Sequence, residues 1–266
     1  MTVRFRSILI SFALGVAGIA QAQDTSLKQL TSLDEARAWQ AVGLLQIGNT
    51  GTCTGALISD RQVLTAAHCL VEKGTNTPFA AERIRFNSGW RLGAATSVRT
   101  GNRIVLHPDY KGGSSGGRIS SDQVAVDLAI LELDRPIDPI SAEPFAVYQQ
   151  PKSGDPVTIV SYGRGRNQAP SIEKDCTVLD HGRRVIVASC KVDFGSSGSP
   201  IFRIVNGRPY IASVVSAKGK QDGKDISIGV TLGNALKNLQ TELFDDRKAF
   251  QGKRPGKSIA EQLGRN

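Results

Sequence analysis

The chain has 266 residues and a formal net charge of +9 at pH 7. A basic surface can attract nucleic acid or anionic membranes, but the positive residues are scattered along the chain, and we therefore expect no nucleic-acid partner. Beyond the N-terminus no stretch approaches the ~18 apolar residues of a membrane-spanning helix, which excludes a membrane span of that kind.

A secretory signal peptide is predicted at residues 1–22. Two arginines precede an apolar run at 8–20, and the small-residue pattern Ala-Gln-Ala ends at Ala22, where cleavage is expected. We therefore expect a soluble, exported protein that is secreted or periplasmic. Residues 23–38 are interpreted as an N-terminal segment or short propeptide.

Short β-branched and apolar runs recur from residue 40 to residue 230, broken by Gly, Asn, Asp and Pro. This pattern predicts an all-β sandwich or barrel. Roughly 200 residues of β structure could form one large barrel or two small ones. The proline-rich stretch 136–151 is the natural join, which gives two halves at 39–140 and 141–231.

One clear helical pattern comes at the end of the β region. Leu232, Leu236, Leu239 and Leu243 recur at helical intervals and predict a helix over 232–244. The remaining residues, 245–266, carry six Lys or Arg against three acids, together with Gly and Pro. This composition predicts a basic, disordered tail.

The chain contains four cysteines, an even number that allows three pairings in an exported protein. Their grouping favours Cys53 with Cys69 and Cys176 with Cys190, each closing a loop of roughly fifteen residues worth ~3 kcal/mol. A zinc site is the alternative. Its spacing is wrong, because neither pair has the Cys-x-x-Cys form and His181 stands alone between distant thiols. We expect no metal.

Three residues supply the parts of a nucleophilic site: Ser197, His68 and Asp127. A serine hydroxyl is a weak nucleophile at neutral pH and needs an imidazole to take its proton, and the imidazole needs a carboxylate to orient it. Asp127 lies in a run that predicts a buried strand, where an unpaired carboxylate costs several kcal/mol. The three segments are LTAAHC at 64–69, VDLAILEL at 126–133 and GSSGSP at 195–200.

The segment around Ser197 also predicts an oxyanion hole. Glycine at Gly195 lets the backbone turn tightly, so that the N–H groups of Gly195 and Ser197 point at one developing oxyanion.

The order of these residues along the chain separates the serine-hydrolase folds. An α/β-hydrolase requires G-x-S-x-G and a histidine after the serine. Here the fifth position is Ser199 and no histidine follows Ser197, which excludes that fold. A subtilisin arrangement could use Asp60 ahead of His68, but its helices are missing. The serine-hydrolase arrangement that remains is the one in which His68, Asp127 and Ser197 follow one another in that order along the chain.

With these motifs in place, the chain resembles the trypsin/chymotrypsin-type serine endopeptidases over about residues 39–235, as a secreted member of bacterial appearance. Further segments that occur in the family's order are GTCTGALIS at 51–59, VLHPDY at 105–110, the turn at 161–163 and SVVS at 213–216.

The resemblance implies two packed six-stranded antiparallel β-barrels with a C-terminal α-helix, and peptide-bond hydrolysis through an acyl-enzyme. It also implies a disulfide from Cys53 to Cys69 that ties down the histidine's loop. Ser216, Ala217 and Lys218 would pair with the substrate backbone as an added strand.

Two features depart from the family pattern. Ser196 occupies the position where the animal enzymes carry an aspartate that binds a new N-terminal amine, so we expect other contacts to hold the oxyanion loop. Lys191 stands where trypsin-like specificity places an acid, and Lys218 falls on the expected pocket wall. These lysines either form a cationic pocket for acidic side chains, near Asp193, or point to solvent.

The leading hypothesis is a monomeric serine endopeptidase that needs no cofactor and takes protein or peptide substrates. A catalytically silent protease-fold protein that binds peptides in the same cleft is one alternative. An esterase that uses the same triad is another, because acyl-enzyme chemistry serves both bond types.

Overall fold

The computed structural model of the chain describes residues 27–112, 119–148, 151–182 and 184–252. The predicted signal peptide lies outside these residues. Within them the chain forms thirteen strands and three α-helices. The helices are α1 (Leu33–Ala36), α2 (Ser121–Ala125) and α3 (Gly233–Gly252).

Six antiparallel strands close the first barrel. Their order is β2, β3, β4, β7, β6, β5, and β5 pairs with β2 to complete the circle. Apolar side chains such as Leu45, Phe86 and Ile130 are fully buried in it. The strands are β2 (Val42–Ile47), β3 (Gly51–Leu57), β4 (Gln62–Thr65), β5 (Ile84–Ser88), β6 (Ser97–Leu106) and β7 (Ala129–Leu133).

Six further antiparallel strands close the second barrel. Their order is β8, β9, β10, β13, β12, β11, and β11 pairs back to β8. The all-β fold with two six-stranded antiparallel barrels is therefore confirmed. The strands are β8 (Pro156–Ser161), β9 (Ser171–His181), β10 (Val185–Ala188), β11 (Pro200–Val205), β12 (Arg208–Gln221) and β13 (Lys224–Thr231).

The N-terminal segment adds one more strand to the second barrel. Strand β1 (Lys28–Gln29) pairs with β9, and the N–H of Leu30 donates to the carbonyl of Pro170 at 2.8 Å. Leu30 is buried in the main hydrophobic core. Residues 28–30 of segment 23–38 thus extend the second barrel.

Helix α3 follows the last strand of the second barrel and packs against β6 of the first barrel. The four leucines that define the helical pattern are all buried, three of them in α3 and Leu232 just before it. The helix continues beyond the predicted end at residue 244, because no Gly or Pro interrupts it before Gly252. The start of the predicted disordered tail is therefore helical, and 253–266 lie outside the described residues.

The helices of the described chain include none that is long and apolar enough to cross a membrane.

An aromatic cluster joins the two barrels. The ring of Phe202, on β11, lies 5.1 Å from that of Trp39 and 4.7 Å from that of Phe145, measured between centroids. Phe202 is fully buried. Trp39 directly precedes the first barrel, and Phe145 lies in the segment that connects the two barrels. The ring of Phe202 therefore packs against residues on the other side of the junction.

We expect Phe202→Ala to lower the free energy of unfolding by about 3–5 kcal/mol, since it removes a buried ring and leaves a cavity between the barrels. Ile140→Ala is the control, because Ile140 is 94% exposed and its loss should change little. Chemical denaturation followed by tryptophan fluorescence measures both. Equal, small effects would contradict a central role for the cluster.

Candidate active site

His68 sits in a short 3-10 turn, Ala67–Cys69, directly after β4. The disulfide from Cys53 to Cys69 ties this turn to β3. The backbone N–H of His68 donates to Asp127 Oδ1 at 2.9 Å, and its ring Nδ1 lies 2.6 Å from Asp127 Oδ2. The imidazole is thus oriented from two directions by one carboxylate.

Asp127 lies between α2 and β7, at the edge of the first barrel. Helix α2 begins with a capping box formed by Ser120 and Gln123, and the N–H of Asp127 donates to the carbonyl of Val124 at 3.0 Å. The residue is 5% exposed. Its Oδ2 also accepts a 2.5 Å hydrogen bond from the hydroxyl of Ser216, on β12 of the second barrel.

Ser197 lies in the loop between β10 and β11. Gly195 and Gly198 on either side have φ values of 89° and 78°, a region that favours glycine. A Cβ on Gly198 would lie 2.1 Å from Thr65 Oγ1 and 2.3 Å from the carbonyl O of Thr54. Glycine is therefore needed where this loop touches the first barrel.

One cavity of about 810 Å³ brings the candidate residues of the two barrels together. Its wall includes both members of the imidazole–carboxylate pair, the serine, and the β12 edge. Of the predicted site residues, those that line it are His68, Asp127, Gly195, Ser197, Ser216, Ala217 and Lys218.

Lys191 does not line this cavity. It borders a neighbouring one of about 550 Å³, and its backbone N–H donates to Glu173 Oε2 at 2.7 Å. Lys218 does line the main cavity, where its Nζ lies 2.9 Å from Asp193 Oδ1. The positive charge of Lys218 and the negative charge of Asp193 therefore offset each other at the cavity wall, where both side chains are half-exposed.

Phe194 forms a flat, exposed surface in the same wall. The guanidinium carbon of Arg164 and the Nζ of Lys218 each lie 4.4 Å from its ring centroid. Cations at this distance are attracted by the ring's electrons. Together with the Lys218–Asp193 pair, these contacts make a mixed apolar and charged rim.

Burial disfavours the charged form of the His68 imidazole and by itself lowers its pKa. The charge of Asp127 and the hydrogen bond to it act in the opposite direction and prevail, so the pKa of His68 is raised above its ordinary value. His107 shows the reverse balance. Burial lowers the pKa of His107, and the nearby Asp109 only partly offsets this.

Thr54 is a residue of the site that the sequence does not reveal. Its hydroxyl donates to the carbonyl of Gly195 at 3.0 Å and accepts from the N–H of Tyr162 at 3.0 Å. Its own N–H donates to the carbonyl of Ser197 at 2.9 Å. The only signal is its place beside Cys53 in a motif of the first barrel.

Two clusters in the described chain bring possible metal ligands within 4.8 Å of one another: Cys53, His68 and Cys69, and Glu173, Cys176 and Cys190. In each cluster the two sulfurs are joined in a disulfide. Neither cluster therefore offers the thiolates that a structural zinc site uses.

Two closed barrels with these residues at their junction have the architecture of the chymotrypsin-type proteases. The chain belongs to the Trypsin family, which matches residues 31–236.

Curated relatives include proteins named as proteases and one named as inactive. CLIP domain-containing serine protease B15 of Anopheles gambiae is 26% identical over 257 residues, which cover 80% of this chain and 68% of that protein. The cercarial protease of Schistosoma mansoni is 28% identical over 56% of each chain. Inactive serine protease scarface of Drosophila melanogaster is 27% identical, over 58% of this chain and 22% of its own.

Solved structures share the fold at low sequence identity. A Glu endopeptidase in complex with MPD superposes with a TM-score of 0.66 at 16% identity, over 83% of this chain and 97% of the other. A thermostable serine protease, AL20, gives a TM-score of 0.63 at 16% identity, over 78% and 98%.

We expect His68 to titrate above the ordinary histidine pKa of ~6.5 and His107 below it. Asp127→Asn removes the opposing charge and leaves burial, so it should lower the pKa of His68 and leave that of His107 unchanged. The chain has three histidines, so proton NMR of the imidazoles resolves each titration. A His68 pKa that is insensitive to Asp127→Asn would contradict the pairing.

Proposed function

We propose that this protein is a secreted serine endopeptidase that hydrolyses peptide bonds with His68, Asp127 and Ser197. The observation that carries the proposal is the pair of bonds from Asp127 to the backbone and ring of His68, in a cavity that also contains Ser197. A relative with lost activity exists, but this chain retains all three residue types at the family's motifs.

The steps follow from the roles of these groups. The Oγ of Ser197 attacks the substrate carbonyl while Nε2 of His68 accepts its proton, and Asp127 stabilises the resulting imidazolium. His68 then returns the proton to the leaving amine. A water molecule repeats the sequence on the acyl-enzyme and releases the acid. This chemistry requires no metal or cofactor.

The oxyanion that forms in each addition step would lie against the N–H groups of Gly195 and Ser197. Within the described residues neither of these N–H groups donates a hydrogen bond. The positive φ of Gly195 turns the loop at this point. Two preorganised donors of this kind stabilise the developing charge, because they need not reorient during the reaction.

The substrate backbone would add as a strand along Ser216, Ala217 and Lys218. Ala217 and Lys218 pair with β13 on one side, whereas β11 stops pairing with β12 at Val214. Among the described residues no strand therefore pairs with the other edge of β12 at Ser216, Ala217 and Lys218. These three residues line the cavity. Strand addition of this kind uses main-chain hydrogen bonds for affinity and suits protein or peptide substrates.

Export is part of the same proposal. The two disulfides, Cys53 to Cys69 and Cys176 to Cys190, are typical of oxidising compartments. They support the export expected from the signal peptide predicted at residues 1–22, to a secreted or periplasmic location.

Ser197→Ala should abolish labelling by an organophosphonate probe and lower turnover by about 10⁶-fold, because it removes the nucleophile of a unit that acts together. Labelling is read by intact-protein mass spectrometry, and turnover with paired peptide-amide and ester substrates. Ser199→Ala is the matched control. Equal labelling of wild type and Ser197→Ala would refute the proposal, and turnover of esters alone would favour an esterase.

The Lys218–Asp193 ion pair should keep the cavity from preferring either acidic or basic side chains of the substrate. Lys218→Ala leaves the Asp193 carboxylate unpaired and should favour basic side chains by about 1.4- to fivefold, since a half-exposed ion pair is worth ~0.2–1 kcal/mol. Asp193→Ala should favour acidic side chains to a similar extent. A peptide-library cleavage profile measures both. Shifts of the same sign in the two variants would contradict this role.

A further inference from the structure

The loop that carries Ser197, residues 191–197, is held at its first residue by a buried carboxylate. Glu173, on β9, is fully buried, and its Oε2 accepts the backbone N–H of Lys191 at 2.7 Å. A charge-assisted hydrogen bond of this kind is stronger than one between neutral groups. It fixes the point where the loop leaves the barrel.

A second anchor holds the far end of the loop through Ser196, which is fully buried. Its hydroxyl accepts from Arg166 Nη2 at 3.3 Å and donates to the hydroxyl of Ser161 at 3.2 Å. The N–H of Asp193 also approaches Ser196 Oγ, at 3.5 Å. One hydroxyl thus joins the loop to itself and to the barrel.

Arg166 is itself fixed in place. Its Nη1 donates to Ser161 Oγ at 3.3 Å, and the side-chain amide of Gln29, on β1, donates to its carbonyl at 3.2 Å. A Cβ on Gly163 would lie 2.4 Å from Arg166 Nη2. The absence of a side chain at this glycine is what lets the guanidinium lie over the backbone.

Two carboxylates supply the charge that this guanidinium requires. Burial lowers the pKa of Arg166, and the charges of Asp193 and Glu173 oppose that effect. Even a partly buried cation is costly unless an opposite charge accompanies it. Asp193 belongs to the loop, and Glu173 is the carboxylate that anchors its first residue. Arg166 therefore stabilises the loop in two ways: by its charge, and by its hydrogen bond to Ser196.

We propose that Arg166 and Glu173 are positioning residues that clamp loop 191–197 in the conformation in which Gly195 and Ser197 line the cavity. They do the work that an aspartate before the nucleophile and a new N-terminal amine do in the animal enzymes. The expected effect of the clamp on catalysis rests on the proposed function. Its expected effect on the conformation of the loop does not depend on that function.

Arg166→Gln and Ser196→Ala test the clamp, with Ser199→Ala as the matched control. Ser199 is as buried as Ser196, but its hydroxyl has no hydrogen-bond partner within the described residues. Hydrogen exchange of the peptide that contains 193–197 reads the loop directly. We expect exchange about tenfold faster in the two test variants and unchanged in Ser199→Ala, since local opening becomes easier.

Steady-state kinetics supply the second measurement. Misaligned oxyanion donors weaken binding of the transition state, so kcat should fall by about 10²–10³-fold in Arg166→Gln while KM changes little. A peptide boronic acid should lose affinity in parallel. Because Arg166 borders the open cavity of about 550 Å³, added guanidinium should restore part of kcat in Arg166→Ala but not in Ser196→Ala.

The outcomes separate the clamp from the enzyme proposal. If both test variants exchange like Ser199→Ala, the clamp is wrong, whatever the kinetics. If exchange rises as expected while wild type hydrolyses no substrate, the clamp stands and the endopeptidase proposal fails. Should Arg166→Gln not fold, the smaller Ser196→Ala decides the matter, because it removes one oxygen and keeps every charge.

Discussion

The buried carboxylate of Asp127 is the constraint on which the candidate site depends. Left alone in this environment it would cost several kcal/mol, and it is stabilised by the N–H and ring of His68 and by the hydroxyl of Ser216. His68 and Asp127 belong to the first barrel, whereas Ser216 belongs to the second. Satisfying one negative charge therefore couples the orientation of the imidazole to the docking of the two barrels.

The same junction places the serine loop by contacts between neutral groups. Thr54 bonds to the backbone of both Gly195 and Ser197, and Gly198 fits against the first barrel only because it has no side chain. The loop is thus held from the first barrel by Thr54 and from the second by Arg166 and Glu173. A loop fixed on both sides by rigid strands is suited to present two backbone donors in a constant geometry.

Much of this arrangement could be predicted because its signals are local. Strand β7 is buried throughout and is apolar apart from Glu132, and the leucines from Leu232 to Leu243 repeat at the period of a helix. The two-residue strand β1 has no periodicity to detect, and it forms only because β9 offers an unpaired edge. The sequence does not mark the end of α3, because charged residues such as Asp245 and Lys248 are compatible with a helix as well as with a tail.

The sequence by itself determined the all-β class, the grouping of the cysteines and the choice of His68, Asp127 and Ser197 as candidate residues, since each is written in a short segment. Only the tertiary structure decided that Ser216 meets Asp127 across 89 positions of sequence and that Thr54 meets Gly195 across 141. In the tertiary structure Lys191 lines the neighbouring cavity and not the main one, and Lys218 forms an ion pair with Asp193. Such contacts depend on how twelve strands close into barrels and on how the barrels pack, and no local pattern encodes that geometry.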